Sequence, residues 1–219
     1  MFKNIYFSKS QVEIYIYHLY LKLIGVALPK NVDHERKLIL VHNPKVAGTT
    51  MKQIFGFNLK DGETTSHKTP TFLVGKKIWE NYTSIIAVRH PVTRLISSYN
   101  YHVNSNYNGY FLKKYPSLLD FTFEKYFDVF SKLPFVISPQ CDYINHQLSS
   151  KKADYIIKYE DFENGLIDVL NDLNIEIVHI PHLNRSIREN INYFDNEEFK
   201  KKVNDFYLKD YLEFNYDPI

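Results

Sequence analysis

The stretch Asn43-Pro44-Lys45-Val46-Ala47-Gly48-Thr49-Thr50 gathers groups that hold anions. Lys45 brings a mobile point charge, Thr49 and Thr50 bring hydroxyl donors, and Gly48 lets an anion approach the backbone closely. A second stretch, Arg89-His90-Pro91-Val92-Thr93-Arg94-Leu95-Ile96-Ser97-Ser98-Tyr99, offers a guanidinium that can fork onto a phosphate and a hydroxyl at Ser97. Ser97 reaches a ligand only if its face of the following helix looks across the cleft. Together the stretches call for a ligand with two separated anionic groups.

Each stretch follows an apolar run, Leu38-Ile39-Leu40-Val41 and Ile85-Ile86-Ala87-Val88, that reads as a buried strand. The helices after them are expected over Thr49–Phe57 and Val92–His102. In an open α/β sheet both turns then fall at the carboxyl edge, where ligands bind. Tyr155–Tyr159 reads as a third strand, followed by a helix from Glu160 or Asp161 to Leu173, an extended piece at 175–180 and a final helix at 197–211. Residues 58–76 read as a polar loop, 104–120 as an exposed excursion and 121–130 as an aromatic helix. Strands alternating with helices predict an α/β fold: three-layer and P-loop-like, with a mostly parallel sheet flanked by helices. Residues 1–36 form a helical lead and 37–219 a single domain.

The formal charge of +2, from 27 basic and 25 acidic residues, argues against a generic nucleic-acid binder. Cys141 is the only cysteine, which excludes an intrachain disulfide and disfavours a zinc cluster. Met1–Ser10 lacks the layout of a secretory signal. The apolar stretch Ile14–Leu28 is broken by His18 and Lys22 and falls short of the ~20 residues that span a bilayer. It reads first as a docking helix and second as a peripheral contact with a membrane surface.

The first loop is not the ordinary nucleotide loop, in which lysine follows the second glycine; here Lys45 precedes Gly48. No acidic strand end suited to magnesium stands out. Pro44–Thr50 instead resembles the 5′-phosphosulfate loop of sulfotransferases that use 3′-phosphoadenosine 5′-phosphosulfate (PAPS), above all the carbohydrate branch, whose loop reads Pro-Lys-x-Ala/Gly-Gly/Cys/Ser-Thr/Ser. Arg89, Pro91, Arg94, Ser97 and Tyr99 are similar to the 3′-phosphate motif of the same family, with His90 where Asp or Asn is common. Tyr159-Glu160-Asp161-Phe162, Pro181-His182-Leu183-Asn184-Arg185-Ser186, Asp210 and Phe214-Asn215-Tyr216 extend the resemblance to about residues 37–217.

The resemblance implies transfer of a sulfuryl group from PAPS to a hydroxyl, leaving adenosine 3′,5′-bisphosphate, with no metal. Lys45, Ala47, Gly48, Thr49 and Thr50 would hold the 5′ side, Lys45 also serving catalysis. Arg89 and Ser97 would hold the 3′-phosphate, Arg185 would close over the nucleotide, and Arg94 reads as a helix-surface or scaffold arginine. A general base near neutral pH suits histidine, and His67, in the polar segment between the motifs, is the choice, with Glu63 in reserve. His42 reads as a packed neighbour, whereas His102 and His146 are further candidates for contact with an acceptor. The branch implies a carbohydrate acceptor, a bacterial surface glycan or glycolipid precursor met in the cytoplasm. Tyr99, Tyr101, Tyr107, Tyr110 and Phe111 are candidates to stack on sugar rings. Two other readings stay open: a PAPS- or glycan-binding module without catalysis, and a P-loop kinase of a small metabolite.

Overall fold

The computed structural model describes residues 31–57, 67–104, 109–176 and 193–219. Residues 1–30 of the expected helical lead at 1–36, Glu63, Tyr107, Arg185 and most of the extended piece at 175–180 lie outside the described residues.

A sheet of order β1-β2-β3-β4 forms the centre, with β1 at Val32–Asp33, β2 at Leu38–Val41, β3 at Thr83–Val88 and β4 at Tyr155–Lys158. β2, β3 and β4 run parallel, in a register that pairs Val41 with Ile86 and Val88 with Lys158. β1 adds a short antiparallel edge that the sequence does not announce, because so few residues leave no alternation to read. Every residue of β2 is buried, which is why it reads as an unbroken apolar run.

Alternate strand residues face opposite layers. Leu38, Leu40, Ile85, Ala87 and Ile157 pack against α1 (Gly48–Ile54) and a later helix, Phe162–Asp172, through Met51, Phe55, Leu166 and Leu170. Ile39, Val41, Ile86 and Val88 face Leu73, Trp79, Tyr143 and Phe214 on the other side. Leu73 and Trp79 belong to α2 (Pro70–Leu73) and α3 (Lys76–Asn81). The first of these corrects the expectation of a loop over 58–76: Pro70 starts a helical turn, since its fixed φ suits a first helical position.

β3 leads into α4 (Pro91–Tyr99), which continues as a π-helical turn over Asn100–Asn104. The expected excursion at 104–120 contains α5 (Tyr110–Lys114) and a 3-10 turn whose Leu118 is fully buried. α6 (Phe123–Phe130) is capped by Thr122, whose Oγ1 accepts from the Lys125 amide at 3.2 Å. With α7 the helix Phe162–Asp172, the last is α8 (Glu197–Phe214), capped by Asn196 and ended by Asn215 in the left-handed conformation. α4, α6 and α8 share a third, mostly aromatic cluster that includes Leu95, Tyr126, Phe130 and Tyr207.

Candidate active site

Parallel pairing of β2 with β3 brings both anion-binding stretches to the carboxyl edge of the sheet, as neighbours. In the first loop Lys45 and Ala47 take positive φ angles of 66° and 61°. Left-handed backbone costs a residue with a Cβ roughly 1–2 kcal/mol, and it persists only where packing over-determines it. Here Pro44 and Val46 are buried on either side of Lys45. Among the described residues no side chain caps α1, so the amides of its first turn keep their donors for another partner.

Gly48 has a reason in the structure that differs from close approach by an anion. A Cβ built there would fall on Nε2 and Cδ2 of His42. The imidazole of His42 occupies the space a side chain would need. Burial, with the charges of His67 and Lys52, drives the His42 pKa down to about 2, so the ring is neutral. This agrees with the expectation of a packed neighbour.

Lys45 Nζ sits 4.0 Å from the centroid of the Tyr101 ring. Burial first, and the charge of Arg89 second, lower its pKa to about 8. Among the described residues no carboxylate pairs with it. Arg89 lies across the edge, its guanidinium 4.4 Å over the ring of Tyr159 and its Nε donating to Thr93 Oγ1 at 3.0 Å. Two cations thus bear on one region and oppose one another. An anion between them would relieve both the burial and the repulsion.

The face of α4 decides what Ser97 can do. Thr93, Ser97 and Tyr101 succeed one another at helical spacing and share one side of α4 and its π-helical extension. The first touches Arg89 and the last carries Lys45. Ser97 therefore lies between the two cations, half-buried, and its hydroxyl makes no hydrogen bond among the described residues. Arg94 turns away. It is 1% exposed, donates through Nη2 to the carbonyls of Ile137 at 3.3 Å and Ser138 at 2.5 Å, and lies over Tyr207. It is a scaffold residue, set in the core rather than on the surface.

His67 comes within reach of the first loop. Its ring leans on that of His42, with centroids 4.1 Å apart, although the residue as a whole keeps an exposed edge. His67 Nδ1 lies 3.1 Å from the His42 carbonyl, which can only accept, so Nδ1 carries the proton and Nε2 is left with its lone pair. Burial of the ring lowers the His67 pKa; the hydrogen bond to His42 opposes this, and the charges of Lys52 and Lys45 add to it. The result is a neutral imidazole near Lys45 with a free basic nitrogen.

The other sequence candidates divide between packed and open positions. His102 is buried, its Nδ1 2.8 Å from the Tyr126 hydroxyl, and burial with the Lys45 charge takes its pKa down to about 4. His146 is 1% exposed and donates to the Val74 carbonyl at 3.1 Å. Tyr99 is packed among Phe123, Tyr126 and Tyr193 and donates to the Phe121 carbonyl, so it is no sugar platform. Tyr101 and Tyr110 keep open faces, at 46% and 63% exposure. His90, where the family commonly has a carboxamide or carboxylate, donates its amide to Glu160 Oε1 at 2.8 Å and its Nε2 to the Asp217 carbonyl at 2.9 Å. It ties the second loop to the C-terminal segment.

The sequence does not announce the pairing of Asn43, at the head of the first stretch, with Gln140. Both are fully buried and hydrogen-bonded to each other, Asn43 Nδ2 donating to Gln140 Oε1 at 2.9 Å. Their separation in sequence leaves no local pattern that would join them.

A parallel sheet edge with a lysine loop on one strand, an arginine loop on the next and a neutral histidine alongside is the kind of α/β edge at which ligands bind. The profile described as the sulfotransferase family matches residues 30–217, and the chain belongs to that family, whose members transfer sulfuryl groups. Comparison with curated proteins and with solved structures gave no significant match. Among the described residues no cluster of metal-ligating side chains occurs, and no helix is long and apolar enough to cross a membrane.

Proposed function

We propose that the chain moves a sulfuryl group from PAPS to a hydroxyl of a carbohydrate acceptor. The observation that carries this reading is Lys45: a partly buried ammonium without a carboxylate among the described residues, pressed by the charge of Arg89. The residues fit a ligand with two anionic groups, Lys45 and the α1 amides taking the 5′ side, Arg89 and Ser97 the 3′-phosphate. PAPS supplies a sulfuryl group already bonded to a phosphate that can leave. As the sulfur–oxygen bond to that phosphate breaks, its electron pair stays on the phosphate oxygen, where the Lys45 charge counts most. His67 Nε2 takes the proton of the attacking hydroxyl, and lowered basicity keeps it ready near neutral pH.

A sugar acceptor is supported by the Pro44–Thr50 loop, which resembles the carbohydrate branch, and by the exposed ring of Tyr101 beside Lys45. Titration calorimetry with adenosine 3′,5′-bisphosphate and with ADP tests the nucleotide. The bisphosphate should bind at least tenfold more tightly than ADP, and Arg89→Ala should cost it on the order of a hundredfold, the worth of a charge-assisted pair. Equal binding of ADP would sink the 3′-phosphate assignment. Mass spectrometry of candidate glycans for an added sulfate tests the acceptor.

A further inference from the structure

One side chain from neither anion loop touches both. Gln140 opens the 3-10 turn Gln140–Tyr143 and is fully buried. Its Oε1 accepts from the Arg89 amide at 3.0 Å and from Asn43 Nδ2 at 2.9 Å. Its Nε2 donates to the Arg89 carbonyl at 2.6 Å and, more weakly, to Asp210 Oδ2 at 3.4 Å. A carboxamide has two acceptor sites and two donors, and here each is used. Asn43 also donates to the Ala87 carbonyl at 3.2 Å, and Arg94 Nη1 donates to Asn43 Oδ1 at 3.4 Å. Asp210 on α8 anchors the turn by accepting from the Gln140 amide at 2.8 Å and the Cys141 amide at 2.9 Å.

The place of this amide matters more than the number of its bonds. Main-chain pairing fixes β2 against β3 only as far as Val41 with Ile86. Beyond that β2 has ended while β3 runs on beside β4 to Val88, yet Asn43 and Arg89 are still held together, now by a side-chain amide that bonds Arg89 as a neighbouring strand would. Lys45 follows Asn43 with only Pro44 between them. Resting on the reading of this edge as a PAPS site, we propose that Gln140 is a positioning residue that fixes the separation of Lys45 and Arg89, and so selects nucleotides whose two anionic groups match it.

A fixed spacing rewards only ligands that use both loops, because the second group then lands without further ordering of the protein. Cutting the tie leaves each cation in its own loop. The loss should fall on bisphosphate recognition and spare single phosphates. A residue that merely stabilises the fold would not make that distinction.

The test is calorimetry of the whole chain and of Gln140→Met with adenosine 5′-monophosphate, adenosine 3′-monophosphate and adenosine 3′,5′-bisphosphate. Bisphosphate affinity should fall about tenfold or more, while each monophosphate changes less than about threefold. A uniform loss for every ligand, or no loss, overturns the proposal. Should Gln140→Met fail to fold, Asn43→Ser removes the Asn43 arm together with its bonds to Ala87 and Arg94, keeps both Arg89 bonds of Gln140, and is read by the same criteria. The unaltered chain gives an independent reading: adenosine 5′-monophosphate alone should slow hydrogen exchange at the Arg89 amide, and an unchanged rate overturns the tie. If the unaltered chain binds none of these nucleotides, the PAPS reading falls and the spacer with it. If it binds the bisphosphate and the variants lose everything uniformly, only the spacer falls.

Discussion

The loop after β2 and the loop after β3 each present a cation to the same region, and they hold it by different means. The first relies on strained backbone: Lys45 and Ala47 sit at positive φ, and the lysine ammonium rests on the open ring of Tyr101. The second relies on saturated hydrogen bonding: the Arg89 amide and carbonyl are both taken by Gln140, and its Nε by Thr93. A lysine on a flexible stem, desolvated and lowered to a pKa of about 8, can follow charge as it builds on a leaving oxygen. A stacked arginine on locked backbone cannot follow, but it can measure. On the function proposed above, the contrast gives chemistry to one loop and recognition to the other.

The sharpest way to break that contrast is Lys45→Ala. If Lys45 meets charge that develops only during transfer, turnover with PAPS should fall on the order of a thousandfold, while bisphosphate affinity falls far less. Equal losses in turnover and affinity would make the first loop a second anchor.

Arg94→Leu probes the other side of α4. It strips partners from the Ile137 and Ser138 carbonyls and should lower stability by about 2–4 kcal/mol in denaturant unfolding. Bisphosphate affinity of the folded protein should move less than about threefold. A large loss of affinity would place Arg94 with Arg89 after all.

Titration gives a smaller effect that distinguishes the loops by pH. Lowered basicity means that His67 becomes a usable base only above a pKa below the ordinary 6.5, and that Lys45 loses its proton above about 8. The kcat/KM profile should therefore be a bell, falling about tenfold per pH unit beyond each limb. Lys45→Arg should remove the alkaline limb, because a guanidinium stays charged there. His67→Ala should remove the acid limb along with most of the rate. An alkaline limb that survives Lys45→Arg would contradict the assignment.

How much of this was readable in advance follows the range of the interactions. β2 and β3 are unbroken apolar runs because both of their faces are covered, and a run of that kind is visible locally. Lys45 and Arg89 were legible for the same reason: each stands in a short motif just after its strand. Arg94 was harder to place, since its burial depends on the Ile137 and Ser138 carbonyls, which no local pattern brings near. The Gln140 tie was invisible, being made wholly of contacts distant in sequence. α2 hid behind Pro70, and Leu118 behind the polar residues around it. Tyr99, Tyr101 and Tyr110 look alike as letters, and only packing separates the half-buried ring from the open ones.

The imidazole of His42 lies where Gly48 would carry a side chain, which couples the two positions sterically. A related chain with Ser or Cys at the place of Gly48 has to carry something smaller than histidine at the place of His42, or shift that ring. Because the His67 ring leans on His42, such a chain would also have to prop its base differently. The two positions should therefore change together across the family, and an aligned set of loops holding histidine at the first with a larger residue at the second would show that the ring can find another seat.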